Sequence, residues 1–357
     1  MPLIAYQRAH GGNDRPLHFA FFAALERRGL LARYDFALDS MRDRAYCLEL
    51  KRQFPSLLLT GEVSWARRAM QGMARTIGHG YAPLGLLDRF DAACEAPGGR
   101  LNGIHTPRPL FRLYPRVRHR AILFHSIEPG GLRKPWERDA VRGCELVIAR
   151  TSASAQNARA AGARHVVTST DIVFAEPARA APYRPGGAVA LRIPDRRNAG
   201  DVPAYLGRLR EALDELERCG LPVDHLLPGP PIDGEMRRRS YTRLFDMDSM
   251  YEPFAARRDF VLSSRLHTTL VALLNGNRRV LQFQVEDGTN KIAEIFGDIG
   301  LDSLVVHRRS ELGREIVADF LGSRAVIPEA DVDAALARAR AQVDVGLDAL
   351  EEWLATI

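Results

Sequence analysis

The stretch FVLSSRLHTTLVALLNG, residues 260–276, changes its character half-way along. Phe260, Val261 and Leu262 form a short continuous apolar run, the pattern of a strand covered on both faces. Ser263 and Ser264 follow with hydroxyls suited to a helix start, and an apolar helix then runs to Asn275-Gly276, a stop signal. Read as strand, turn and helix, the stretch places Arg265 and His267 in the first helical turn. In an open α/β sheet that position lies beyond the carboxyl end of a strand, where unpaired N–H groups and the helix dipole favour an anion. Two readings stand at this point. Either Arg265 and His267 form an anion site, with Ser263, Ser264, Thr268 and Thr269 adding hydroxyls, or Arg265 pairs with a carboxylate and His267 caps the helix.

The pattern on either side repeats the motif of short apolar strands alternating with amphipathic helices, which predicts parallel sheets covered by helices. PLIAYQ (2–7), SLLLTG (56–61), RAILFHSIEP (120–129) and CELVIART (144–151) read as strands of a first half. AVALRIP (188–194), VDHLLPG (223–229), FVLSS (260–264), RRVLQFQ (278–284) and SLVVH (303–307) read as strands of a second. Residues 78–118, rich in Gly, Pro and Arg, read as long loops with short helices, and a helix is expected near 235–245. AEPARAAPYRPGG (175–187), with three prolines and two glycines, marks a linker. The domains expected are therefore 1–178 and 188–327, each α/β and facing the other across a cleft. A C-terminal helix over 328–357 packs on the body through Val332, Leu336, Ala339, Val343, Leu347, Leu350 and Leu354.

Composition narrows the function. The chain has 357 residues, 46% hydrophobic and 26% charged, with a formal net charge of +6. Lys51, Lys134 and Lys291 are the only lysines, so nearly all of the 50 basic residues are arginines. Guanidinium forks suit phosphate and carboxylate, which points to anionic small molecules or lipid headgroups. Nucleic acid is not expected, since no nucleic-acid-binding signature and no aromatic-interleaved basic stripe is present. Cys47, Cys94, Cys144 and Cys219 are scattered without a CxxC pair, so neither disulfides nor zinc are indicated. No apolar run is long enough to span a bilayer and the N-terminus lacks a signal-peptide layout, so a cytoplasmic location is expected. Asp246 and Asp248 in DMD resemble the metal-binding DxD of some glycosyltransferases but read as solvated acids, and no metal site is expected.

The segments SRLHTTLVALLNGNRRVLQFQ (264–284) and NKIAEIFGDIGL (290–301) resemble the C-terminal signature of the polysaccharide pyruvyltransferase family, at Ser264, Arg265, Leu266, His267, Gly276, Lys291, Gly300 and Leu301. ELVIARTSASAQNARAAGARHVVTSTDIVF (145–174) resembles an upstream block of that family, at Arg150, Ser154, Gly162 and Asp171. FHSIEP (124–129) and GGNDRPLHFAFFAAL (11–25) are similar to earlier landmarks. The chain departs from the family pattern at NRR (277–279), where a proline usually stands, in the stretch QVEDGTNK (284–291), and at GGND.

The resemblance implies a GT-B-like fold of two Rossmann-like domains, with the acceptor on the N-terminal side and the donor on the C-terminal side. It implies transfer of pyruvyl from phosphoenolpyruvate to two sugar hydroxyls, giving a cyclic ketal and phosphate, with no cofactor. Arg265, Leu266, His267, Arg192 and Lys291 are the candidates for phosphoenolpyruvate binding. Arg265 and His267 are the candidates for catalysis, with His267 as the general acid. Asn13, Asp14 and His125 are the candidates for acceptor binding. The acceptor is a glycan or a lipid- or nucleotide-linked sugar, and association with the inner face of a membrane or with a second copy stays open. Two alternatives remain at the level of sequence: a nucleotide-sugar-dependent glycosyltransferase of the same architecture, and a non-catalytic glycan-binding protein on that fold.

Overall fold

A computed structural model describes residues 1–7, 15–39, 43–60, 90–101, 117–128, 132, 134–178, 181–190, 202–220, 222–227, 241–243, 257–283, 291–306, 313–322 and 328–357. The chain divides into two units. One comprises Met1–Ala175 with Arg340–Ile357, the other Glu176–Ala339.

In the N-terminal unit, β1 (Leu3–Gln7) leads to α1 (Arg15–Arg27), β2 (Asp35–Leu38), α2 (Arg44–Gln53) and β3 (Leu58–Leu59). After them come β4 (Ala92–Glu95), β5 (Gly98–Leu101), β6 (His119–Ile127), α3 (Pro135–Arg142), β7 (Leu146–Ala149), α4 (Ser152–Ala160) and β8 (Val166–Thr168). The sheet order is β3-β2-β1-β4-β6-β7-β8, with β5 also on β6, and every pairing is parallel. Its two faces are packed differently. Tyr6, Phe21, Phe22 and Phe36 make an aromatic layer with α1, in which Tyr6 stacks on Phe21 at 5.5 Å. The small residues Ala5, Ala37 and Ala93 let the other face pack against Val141, Ala158 and Ala161. β6 is irregular: its register with β7 shifts between Ile122 and His125, and Phe124 holds a φ of 44° there. Such a bulge re-aims the strand end, and positive φ in a bulky residue stores strain that the packed surroundings must hold.

The C-terminal unit runs β9 (Gly187–Ala190), α5 (Val202–Arg218), β10 (Val223–Leu227), β11 (Tyr241–Arg243), β12 (Phe260–Ser263), α6 (Leu266–Leu274), β13 (Val280–Phe283), α7 (Lys291–Ile299), β14 (Val305–Val306) and α8 (Arg314–Gly322). The order β11-β10-β9-β12-β13-β14 is parallel throughout. Counted from β9 it is 3-2-1-4-5-6, the doubly wound nucleotide-binding order, with its reversal between β9 and β12. Gly187 is required at the start of β9, because a Cβ there would lie 2.0 Å from the Phe260 ring. Leu209, Ala212, Leu213 and Leu216 of α5 complete this core with Val189, Phe260, Leu262 and Val317.

The last helix, α9 (Glu329–Leu354), begins in the C-terminal unit and from Arg340 onward belongs to the N-terminal one. All seven apolar positions of its predicted face are buried. Gly346 brings it onto the first sheet, since a Cβ there would meet Phe124 at 2.8 Å, Ser169 at 2.9 Å and Ile148 at 3.1 Å.

Two expectations are corrected. β4 and β5 lie within the stretch read as loops; AACE is strand because it is sandwiched between β1 and β6, a non-local pairing with little local signal. Tyr241–Arg243 is a strand on β10 rather than part of a helix near 235–245. Among the described residues no helix is long and apolar enough to cross a membrane.

Candidate active site

β12 is central in the second sheet, paired with β9 on one side and β13 on the other. The chain leaves it at the topological switch point, and Ser264 N still bonds the Ala190 carbonyl at the end of β9, 3.0 Å away. Ser263 then makes the turn: its hydroxyl accepts from Arg265 N at 2.9 Å and donates to Arg265 O at 3.0 Å. Thr269 N and Thr269 Oγ1 both donate to that same carbonyl, at 3.1 and 3.2 Å. Thr269 Oγ1 also contacts Gln282 Oε1 of β13. The Arg265 backbone is thus held by two hydroxyls and a neighbouring strand, which fixes where its side chain sets out. Gln282 carried a signal in the sequence, as a polar residue inside the apolar strand VLQF; its role depends on the pairing of β12 with β13.

Arg265 is the N-cap residue of α6, with extended backbone angles (φ −116°, ψ 114°), and gives the helix no side-chain cap. The first-turn N–H groups are therefore not engaged by a side chain of the N-cap residue. From Phe260 to Asn275 every side chain is buried except Arg265 and His267, which are half-buried. The sequence thus spends this segment on core and leaves one arginine and one histidine, two residues apart, only half-buried. Leu266, between them, is buried and anchors the turn. Lys291 opens α7, the helix after β13, so it stands at the same edge of the sheet one strand further along. Arg192, just past β9, lies outside the described residues, as do Asn13, Asp14 and the DMD acids. Among the described residues no cluster of three or more potential metal ligands occurs.

The departures at 277–279 have structural work. Asn277 donates to Ala272 O at 3.0 Å, closing α6, and accepts from Arg258 N at 2.8 Å. Arg278 bonds Leu273 O at 3.2 Å and Asp333 at 2.7 Å. Arg279 donates to the Phe320 and Leu321 carbonyls that end α8. Asn277 and Arg278 thereby satisfy the C-terminal carbonyls of α6, and Arg279 those of α8.

In the N-terminal unit His125 is buried within β6, with Nδ1 3.0 Å from the Ser126 carbonyl. Beside it, Arg150 at the end of β7 is 2% exposed and pairs with the fully buried Asp171 at 2.9 Å. Its Nε and Nη2 both donate to Ser126 Oγ, at 3.0 and 2.7 Å. Thr151 caps α4 by accepting from Ser154 N at 3.0 Å, and Ser154 Oγ accepts from Ile127 N at 3.0 Å. The network ties the carboxyl ends of β6, β7 and β8 together.

No protein-family model and no curated protein matches the chain. Solved structures do match over its full length. It is similar to S. aureus MnaA in a UDP co-structure, with a TM-score of 0.55 at 10% identity over 100% of this chain and 98% of that one. It is similar to Medicago truncatula UGT71G1 complexed with UDP-glucose, with a TM-score of 0.54 at 8% identity over 99% and 98%. It is also similar to a mutant O-GlcNAc transferase of Thermobaculum terrenum, with a TM-score of 0.51 at 15% identity over 99% of this chain and 67% of that one. The fold is of GT-B type. At these identities the likeness speaks to architecture, and the chemistry has to be argued from the residues.

Proposed function

We propose that this protein is a glycan-modifying transferase whose C-terminal unit binds a nucleotide-sugar donor at the start of α6. The observation that carries the reading is the placement of Arg265 and His267, the two half-buried side chains of an otherwise buried strand–helix segment, at the switch point of a 3-2-1-4-5-6 parallel sheet. A diphosphate seated there meets the first-turn N–H groups of α6 and the Arg265 guanidinium, with Lys291 as a further cation of the same edge and Arg192 as a candidate from the sequence. His267 hydrogen-bonds or protonates the departing phosphate oxygen, which an imidazole does near neutral pH. The N-terminal unit presents the acceptor hydroxyl, with Asn13, Asp14 and His125 as candidates, and the reaction needs no cofactor. The UDP and UDP-glucose named with two of the similar structures favour this donor class.

A second reading has its own support. The Ser264-Arg265-Leu266-His267 start and Lys291 match the pyruvyltransferase pattern, in which phosphoenolpyruvate, with its carboxylate and phosphate, takes the same cations. His267 then protonates the enol-phosphate methylene and one sugar hydroxyl adds to the oxocarbenium-like carbon; phosphate then leaves, and the second hydroxyl closes the ketal, each hydroxyl giving up its proton.

Melting the protein with each ligand separates the two. A ligand at 100 times its dissociation constant adds about 2.7 kcal/mol of stability. Stabilisation by UDP and not by phosphoenolpyruvate supports the first reading, and the reverse supports the second. If neither ligand shifts the melting temperature, the site is not a donor site.

A further inference from the structure

A cluster of guanidinium groups lies within the N-terminal unit. A cavity of about 240 Å³ is lined by Arg27 and Arg28 at the end of α1, Phe174, and Arg340, Asp344 and Leu347 of α9. Arg28 is committed, with Asp344 at 2.9 Å and Asp348 at 2.5 Å. Arg27 Nη2 donates to the Ala175 carbonyl at 2.7 Å. Arg340 differs from both: its Nε and Nη2 are buried and have no hydrogen-bond partner. A guanidinium has no acceptor and cannot shed its charge, so two buried nitrogens left unpaired oppose folding unless something occupies the space beside them.

The place is also particular. The chain leaves the N-terminal unit at Ala175 and returns to it at Arg340, so both crossings border this cavity. We propose that the cavity is a binding site for a small phosphate monoester, held by the Arg340 fork with Arg27 beside it. Asp344, the carboxylate of the lining, is already engaged by Arg28, so the unpaired donors of Arg340 call for an anion. The forked donors of arginine match phosphate oxygens. The volume is enough for a phosphate and a short carbon body. Phe174 and Leu347 supply an apolar wall for that body. The site is independent of the donor site at α6.

The test is calorimetric titration of the full chain with inorganic phosphate at constant ionic strength, on wild type, Arg340→Gln, Arg340→Lys and Arg265→Gln. Arg340→Gln is expected to weaken phosphate binding at least tenfold, since charge-assisted bonds of this kind are each worth roughly a factor of ten to a hundred. Arg340→Lys keeps the charge without the fork, is expected to weaken binding less, and serves alone if the glutamine variant does not fold. Arg265→Gln is expected to retain this binding, which separates the cavity from the donor site whatever donor proves right. Phosphate binding unchanged in both Arg340 variants, or absent in wild type, overturns the proposal. So does binding lost in Arg265→Gln and kept in Arg340→Gln.

Discussion

Two arginines occupy the same local position in the two units and meet opposite fates. Arg150 follows β7 and precedes α4; Arg265 follows β12 and precedes α6. Arg150 is buried, paired with Asp171 and bonded twice to Ser126, so its fork is consumed in joining strand ends. Arg265 is half-buried, its backbone is fixed by Ser263 and Thr269, and its helix carries no side-chain cap. The difference lies in the neighbours. After Arg150 comes Thr151, which caps α4 and frees the arginine to turn inward, whereas Arg265 is itself the N-cap. The same strand–Arg–helix pattern thus gives a fully buried clamp at Arg150 and a half-buried N-cap at Arg265, according to which residue caps the helix.

Removing each arginine is the strongest way to break this comparison. Arg150→Met leaves the Asp171 carboxylate buried without its partner and is expected to lower unfolding free energy by about 3–5 kcal/mol. Arg265→Met is expected to cost clearly less stability than Arg150→Met while losing donor binding. Chemical denaturation of the two variants side by side checks this, and equal losses of stability would erase the distinction. Next, His267→Gln keeps size and hydrogen bonding but cannot give up a proton. Turnover is expected to fall about 10²–10⁴-fold, with the protonation-dependent limb of the pH–rate profile lost and the melting temperature nearly unchanged. An early-melting variant with normal turnover would make His267 a second structural clamp.

Smaller effects sharpen the same contrast through the scaffold. Gly346→Ala forces a methyl against Phe124, Ser169 and Ile148, beside the strand ends that Arg150 ties, and is expected to cost about 1–3 kcal/mol. Gly207→Ala, in α5 with nothing within 4 Å of the added methyl, is expected to stabilise by about 0.5–1 kcal/mol. Urea titrations give both signs directly. At the limit of no effect, chelator is expected to leave turnover unchanged, and activity restored by magnesium or manganese after its loss would contradict that.

Much of the fold is legible locally because its signals are local. The helix Lys291–Ile299 and the buried face of α9 follow from periodicity. Arg265 and His267 fall in a first helical turn because an apolar strand, two serines and an apolar helix succeed one another within a few residues. β2 and β4 were harder: DFAL and AACE are four residues each, and they become strands through partners far along the chain. The helix expected near 235–245 gave way to β11 for the same reason, since a three-residue strand exists through its pairing with β10.

What the sequence determined by itself is therefore the alternation of elements and the place of each chemical group along them, because backbone propensity, capping and hydrophobic period act over a few residues. Only the tertiary structure decided which groups the fold consumes. The Arg150–Asp171 pair joins residues 21 apart in sequence, and the Arg340 cavity needs α1, Phe174 and α9 together. Burial and ion pairing depend on what the folded chain places alongside, and no window of neighbouring residues contains that information.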